Sequence, residues 1–261
     1  MNCVEPRLFE DNTFVLSFPG ANYIQSYYIL KYYLPYLPKL RVVVLPLDLH
    51  SFSSFRTNRI TNPIFWDNFI DFSELFRIKG FLILKGRIYL SIFDELAGRR
   101  FFVNNLIDCI LRKNPQIKSI SNGGSWGYNE ISVERATSQR VQYHLHNRKT
   151  FDNDLLLYFK EILELCNENN ISVVTLQVPV SNLYTEYANR YINKKEITNN
   201  ILDNPDYNQL ILKNFDYFEI YSDKPSLFEP EGDHLNKVGK YSFSKLISHR
   251  FEEIGSKIDM N

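Results

Sequence analysis

Short apolar runs closed by polar turns alternate along this chain with longer stretches of helical period. Phe14-Val15-Leu16-Ser17-Phe18 reads as a buried strand, ended by the turn signal Pro19-Gly20-Ala21-Asn22. Tyr23, Tyr27, Leu30, Leu34 and Leu37 then recur at helical spacing, and Pro35 and Pro38 stop the helix. Residues 40–47 form a continuous, largely β-branched run, the pattern of a strand covered on both faces. Strand, turn, helix and strand make a βαβ unit, which implies a parallel sheet.

The second half returns to the same alternation. Leu155, Leu156, Phe159, Ile162, Leu163 and Cys166 make a helical stripe, and residues 171–178 make the next buried strand. Residues 182–203 and 206–214 read as helical, and 217–221 as a last short strand. A closing helix carries Phe243, Leu246, Ile247 and Ile254 on one face. Between the halves, residues 73–94 and 100–112 have helical character, and 131–148 form a polar helix expected to lie across the surface. The chain reads as a single α/β domain over residues 1–261, with a mainly helical insertion at about 50–130.

Composition narrows the function classes more than the fold. Lys+Arg and Asp+Glu both number 30, so there is no electrostatic footprint for nucleic acid or an anionic membrane. Cys3, Cys109 and Cys166 have no metal-ligand spacing, and Cys166 falls in the apolar stripe of a helix. The first residues lack the basic and apolar regions of a signal peptide. Residues 81–93, broken by Lys85 and Arg87, are too short to span a bilayer.

Candidate chemistry gathers at Glu231-Gly232-Asp233-His234-Leu235-Asn236-Lys237-Val238-Gly239, a polar turn running into the last helix. Asn236 suits the N-cap, which leaves His234 in the delivering loop with Glu231 three residues earlier. A surface loop with a helix cap is the plainer reading of the same residues. Gly123-Gly124-Ser125-Trp126-Gly127 matches a nucleophile elbow, but no strand leads directly into it and no helix follows at once. A flexible loop closing over a cleft fits that segment better. His50, beside Asp48 at the end of the second strand, stands where α/β proteins bind ligands, though a polar loop is more often plain surface. His144 and His146 face different ways on a helix and do not suit a shared metal, and His249 falls on an exposed face. Of the five histidines, only His234 has a neighbourhood suited to chemistry.

The final block, with the order of elements before it, resembles the SGNH/GDSL hydrolase superfamily, whose last block is D-x-x-H extended to H-L-N-x-x-G. The resemblance implies that His234 is the catalytic base and that Glu231, where the family has Asp, orients it. Leu16-Ser17-Phe18-Pro19-Gly20-Ala21-Asn22 resembles the second block, which makes Gly20 the backbone donor to an oxyanion. The third block, G-x-N-D, has no clear counterpart; Asp48 stands at about its place, and Asn22 and Asp48 are expected beside the substrate. The implied fold is a three-layer sandwich on a parallel, flavodoxin-like sheet, with His234 and Gly20 at one carboxyl edge. The implied function is serine ester hydrolysis or O-acyl transfer on an acylated carbohydrate or similar ester, alongside a membrane-bound acyltransferase, with no metal or organic cofactor.

Family members begin with a strand ending in G-D-S or G-S-S, and no such strand precedes Phe14. The expectation is therefore a chain lacking its N-terminal strand and its serine, inactive as it stands, with abnormal pairing between residues 14–18 and 40–47. A full-length form would carry a membrane anchor and act outside the cytoplasm. The alternative is a non-catalytic, carbohydrate-binding or scaffolding remnant, for which 17 Tyr, 20 Phe and 2 Trp would suit sugar stacking. A hydrolase built on Ser125 is the third option.

Overall fold

The computed structural model describes residues 4, 8–9, 21–57 and 132–258, with side chains to Phe251. Its contacts divide the chain into one unit of residues 1–59 and 128–261 and a second of 60–127, the latter outside the described residues. The strand expected at 14–18, Gly20, Ser125 and nearly all of the expected insertion also lie outside them.

Helix α1 (Tyr23–Tyr33) starts at Asn22, whose side chain accepts from the Gln25 N–H while the Gln25 side chain accepts from the Asn22 N–H. That reciprocal box satisfies two donors that helix geometry leaves orphaned. A 3-10 turn over Leu34–Tyr36, with Pro35 inside it, ends the helix. Strand β1 (Val42–Pro46) follows, then a turn and one helical turn at Ser54–Thr57. Helices α2 (Val133–Leu145) and α3 (Asn153–Glu168) lead to strand β2 (Ser172–Gln177). Helix α4 (Asn182–Ala188), short helical turns at Lys194–Ile197, Thr198–Leu202 and Pro205–Asn208, strand β3 (Lys213–Asp216) and helix α5 (Lys237–Ile258) complete the described chain.

The fold is α/β. Its three described strands form one parallel sheet in the order β1-β2-β3, with Val44 opposite Val174 and Leu176 opposite Phe215. Central β2 is buried from Val173 to Gln177, and Val174 and Leu176 pack with Val178, Phe215, Phe243 and Ile247 of α5. Side chains two apart on a strand share a face, so this apolar group defines the side covered by α5. Elsewhere α1 packs along α3 through Tyr23, Tyr27, Tyr28, Tyr158 and Phe159. Cys166 is core, as its stripe predicts, and burial pushes its thiol up to about 12. No helix among the described residues is long and apolar enough to cross a membrane.

Expectations need correction in two places. The helix expected over 206–214 is a single turn at Pro205–Asn208, and the last strand is Lys213–Asp216, not 217–221. The Asp216 carboxylate accepts the Phe218 N–H at 3.2 Å, an Asx turn, and three further turns carry the chain to Lys224. The aromatic run 217–221 has strand composition, but local turn chemistry overrides it. The second correction concerns α2, which does not merely lie across the surface: Ala136, Thr137, Val141, His144 and Leu145 are buried.

Candidate active site

The loop between β3 and α5 is fixed from several sides before any chemistry enters. Asn236 caps α5, accepting from the Val238 and Gly239 N–H groups at 3.1 Å each, as its position in the sequence predicts. Phe228 pairs with Leu235, and the Glu229 N–H donates to the His234 carbonyl at 2.9 Å. At the carboxyl end of β2 the Ser181 N–H donates to the Gly232 carbonyl at 2.8 Å. Gly232 sits at φ +77°, and a Cβ there would lie 2.2 Å from Ser181 Oγ, so this approach requires glycine. Ser181 belongs to the segment that leaves β2, so the loop stands at the carboxyl edge of the parallel sheet, where α/β proteins place their chemistry.

His234 presents a side chain 32% exposed, whereas Asp233 beside it is only 2% exposed. His234 Nδ1 lies 2.9 Å from Asp233 Oδ1. Burial alone would raise the Asp233 carboxyl. The hydrogen bond from His234 and then the charge of Arg140 instead hold it well below the usual carboxylate range. An ionised carboxylate only accepts, so His234 Nδ1 carries a proton, and the neutral ring has its lone pair on Nε2. That is the tautomer a general base needs.

Asp233 is the centre of a wider polar cluster. Arg140 Nε donates to both of its oxygens, at 3.2 and 3.0 Å. His144 Nδ1 lies 3.9 Å from Asp233 Oδ2 and 3.2 Å from the Tyr184 hydroxyl. The His144 ring stacks on His50, with centroids 4.2 Å apart and planes 13° apart. Arg56 Nη2 meets His50 Nε2 at 2.7 Å; guanidinium can only donate, so the His50 proton sits on Nδ1, a buried donor without a hydrogen-bond partner. Burial lowers both histidines well below their ordinary value, and the nearby arginines push the same way, so both rings are neutral.

His50, His144 and Asp233 offer metal-ligating atoms within 4.8 Å of one another. Imidazole binds a metal through a lone pair in its ring plane. Two rings stacked this nearly parallel do not aim those lone pairs at one ion, and Arg140 already covers both Asp233 oxygens. Two guanidinium groups beside the trio also repel a cation. In this arrangement the trio is a packed polar cluster, not a metal seat.

The residues singled out in the sequence distribute as follows. His234 is at the site, and the carboxylate on its Nδ1 is Asp233 rather than Glu231. Glu231 is half-buried in the same turn and acts electrostatically on Arg140. Asn22 is buried, with its amide oxygen committed to the cap of α1 and its Nδ2 donating to the Arg56 carbonyl at 2.9 Å. Asp48 is partly buried, its carboxylate 3.5 Å from the Val178 N–H, and burial raises its carboxyl. Gly20 lies outside the described residues. The sequence reading gave no role to Asp233, Arg140 or Tyr184 and weighed His144 only as a metal ligand, and His50 is buried rather than surface. A signal for α2 was present: Thr137, Val141, His144 and Leu145 share one face at helical spacing. Comparison with protein-family models, with curated proteins and with solved structures returns no match.

Proposed function

We propose that His234 and Asp233 serve ester chemistry of the SGNH kind, the hydrolysis of an acylated carbohydrate or similar ester or the transfer of its acyl group to a hydroxyl. The parallel sheet would then be the centre of a three-layer sandwich. One observation carries the reading: a buried, ionised Asp233 holds a half-exposed His234 by Nδ1 at the carboxyl edge of that sheet. His234 Nε2 takes the proton of the attacking hydroxyl and later returns it to the leaving oxygen. Asp233 fixes the tautomer and stabilises the imidazolium between those steps. The Gly20 N–H holds the oxyanion, a contribution worth a few kcal/mol in such sites. Among the described residues no serine hydrogen-bonds His234 Nε2.

The test is turnover of p-nitrophenyl acetate and of an acetylated polysaccharide by the whole chain and by a form extended upstream with a strand ending in serine. His234→Ala is expected to abolish it, and Asp233→Asn to lower kcat by about 10³- to 10⁴-fold, the scale of a lost orienting carboxylate. Glu231→Gln is expected to stay within about twofold of the parent, since another carboxylate holds the ring. Undiminished turnover in a folded His234→Ala protein would remove the mechanism. Saccharide binding without turnover by either form would favour the carbohydrate-binding alternative.

A further inference from the structure

Helix α2 grips the site loop along a single stripe. Thr137 Oγ1 donates to the Pro230 carbonyl at 3.0 Å, Arg140 meets the Asp233 carboxylate one turn on, and His144 lies beside Asp233 Oδ2 one turn further. Residues three and four apart share a helix face, so these contacts belong to one surface of α2. Thr137 hydrogen-bonds to loop backbone. Arg140 is the member that reaches the carboxylate, and it reaches both oxygens while its side chain stays 23% exposed.

The geometry points to Arg140 as the positioning residue that holds Asp233 in the rotamer and charge state that orient His234. This assignment rests on the reading of Asp233 and His234 as an acid–base pair. A carboxylate with two oxygens and one histidine partner can turn about its terminal bond and offer either edge. A guanidinium N–H between its oxygens removes that freedom and leaves Oδ1 facing His234 Nδ1. The same cation opposes protonation of a carboxylate that is almost wholly out of water. The neighbouring Tyr184 and His144 cannot replace it: neither carries a fixed charge, since burial keeps the phenol protonated and the imidazole neutral.

The decisive readout is the tautomer of His234, seen by nitrogen NMR of the histidine-labelled whole chain, together with ester turnover. The parent protein should show His234 protonated on Nδ1 at neutral pH. Arg140→Gln should shift it toward the Nε2–H form, lower kcat by about 10- to 100-fold with KM within about twofold, and move the acid limb of kcat to higher pH. Arg140→Lys keeps the charge without the planar fork and should fall between the two. Thr137→Ala, which loosens the same helix from the same loop, should leave the tautomer and the acid limb unchanged. An Nδ1–H tautomer and a kcat within about twofold in folded Arg140→Gln would overturn the assignment. Where that variant does not fold, an unchanged tautomer in Arg140→Lys does the same. Should His234→Ala keep full turnover, the ester reading falls while the tautomer still decides the role of Arg140.

Discussion

Along the α1–α3 seam, Tyr23, Phe52 and Phe159 meet with ring centroids 4.9 to 5.4 Å apart, and Phe159 has no exposed surface. Around Asp233 the burial is just as deep, but the contacts are charged: Arg140 on one side, His234 on another, and the stacked His50 and His144 close by. The seam is held by apolar area removed from water and by tilted and edge-to-face rings, contacts with no charge to titrate. The cluster is held by paired charges whose desolvation must be offset at every contact, so each partner depends on the others. The two regions should therefore respond in opposite ways to substitution and to acid.

The largest effects test the seam. Phe159→Ala removes a ring packed against Tyr23, Phe52 and Tyr207 and should cost about 3–5 kcal/mol in urea unfolding, equally at pH 5 and pH 8. His234 should keep its tautomer in whatever fraction remains folded. A pH-dependent loss at Phe159 would mean that the seam and the cluster are one cooperative unit.

Asp233→Asn should cost about 3 kcal/mol at neutral pH, because it strands a largely buried Arg140. Here the loss must depend on pH. The folded-state carboxyl is depressed, so its contribution is complete above the unfolded value of about 3.9 and disappears as pH falls through the lower folded value. The gap between parent and variant should be flat above pH 5 and should close below pH 4. Urea midpoints across that range measure it, and a constant gap would show that Asp233 contributes by shape rather than charge.

How much of this was legible beforehand follows from the same contrast. Period and β-branching marked α1, β1, α3 and β2, because apolar burial writes a spacing into the sequence. The site loop was found through its cap and its histidine, yet the partner on Nδ1 was placed three residues away when it is the adjacent Asp233. Spacing cannot say which of two carboxylates in a turn points inward. Arg140 and His144 stayed hidden because polar side chains on a polar helix read as solvated, and only the fold shows that His50, Arg140 and Asp233, from three distant segments, converge. Strand β3 was displaced for a local reason, the Asp216 turn.

The next effect is smaller and belongs to the cluster alone. His50 and His144 are kept neutral in the folded state, while the unfolded chain protonates them below about pH 6.5. Acid therefore favours unfolding, by about 1.4 kcal/mol per pH unit for each histidine, over the window between the unfolded and the lowered folded values. The parent should lose stability steadily from pH 6.5 toward pH 5, and His144→Gln should lose it less steeply. Parallel slopes would show that His144 takes up its proton without unfolding.

The smallest effect compares one hydroxyl in each region. Tyr184→Phe withdraws the only hydrogen-bond partner of His144 Nδ1 among the described residues, within a site where the next polar atom, Asp233 Oδ2, is 3.9 Å away. A buried ring nitrogen left without a partner costs about 1–3 kcal/mol. Tyr28→Phe takes a hydroxyl from the 3.1 Å Tyr28–Tyr158 pair but leaves the Tyr28 ring against Tyr27 and Tyr158, and should cost only about 0.5–1.5 kcal/mol. The difference arises from what remains: an aromatic neighbour that still packs, against a buried imidazole that must lose a contact or capture water. Urea unfolding of the two variants at pH 7.5, above the range where the histidines titrate, isolates that term. An equal or larger cost at Tyr28 would mean that hydroxyl pairing contributes as much to the seam as charge pairing does to the cluster, and the contrast between the two interiors would have to be given up.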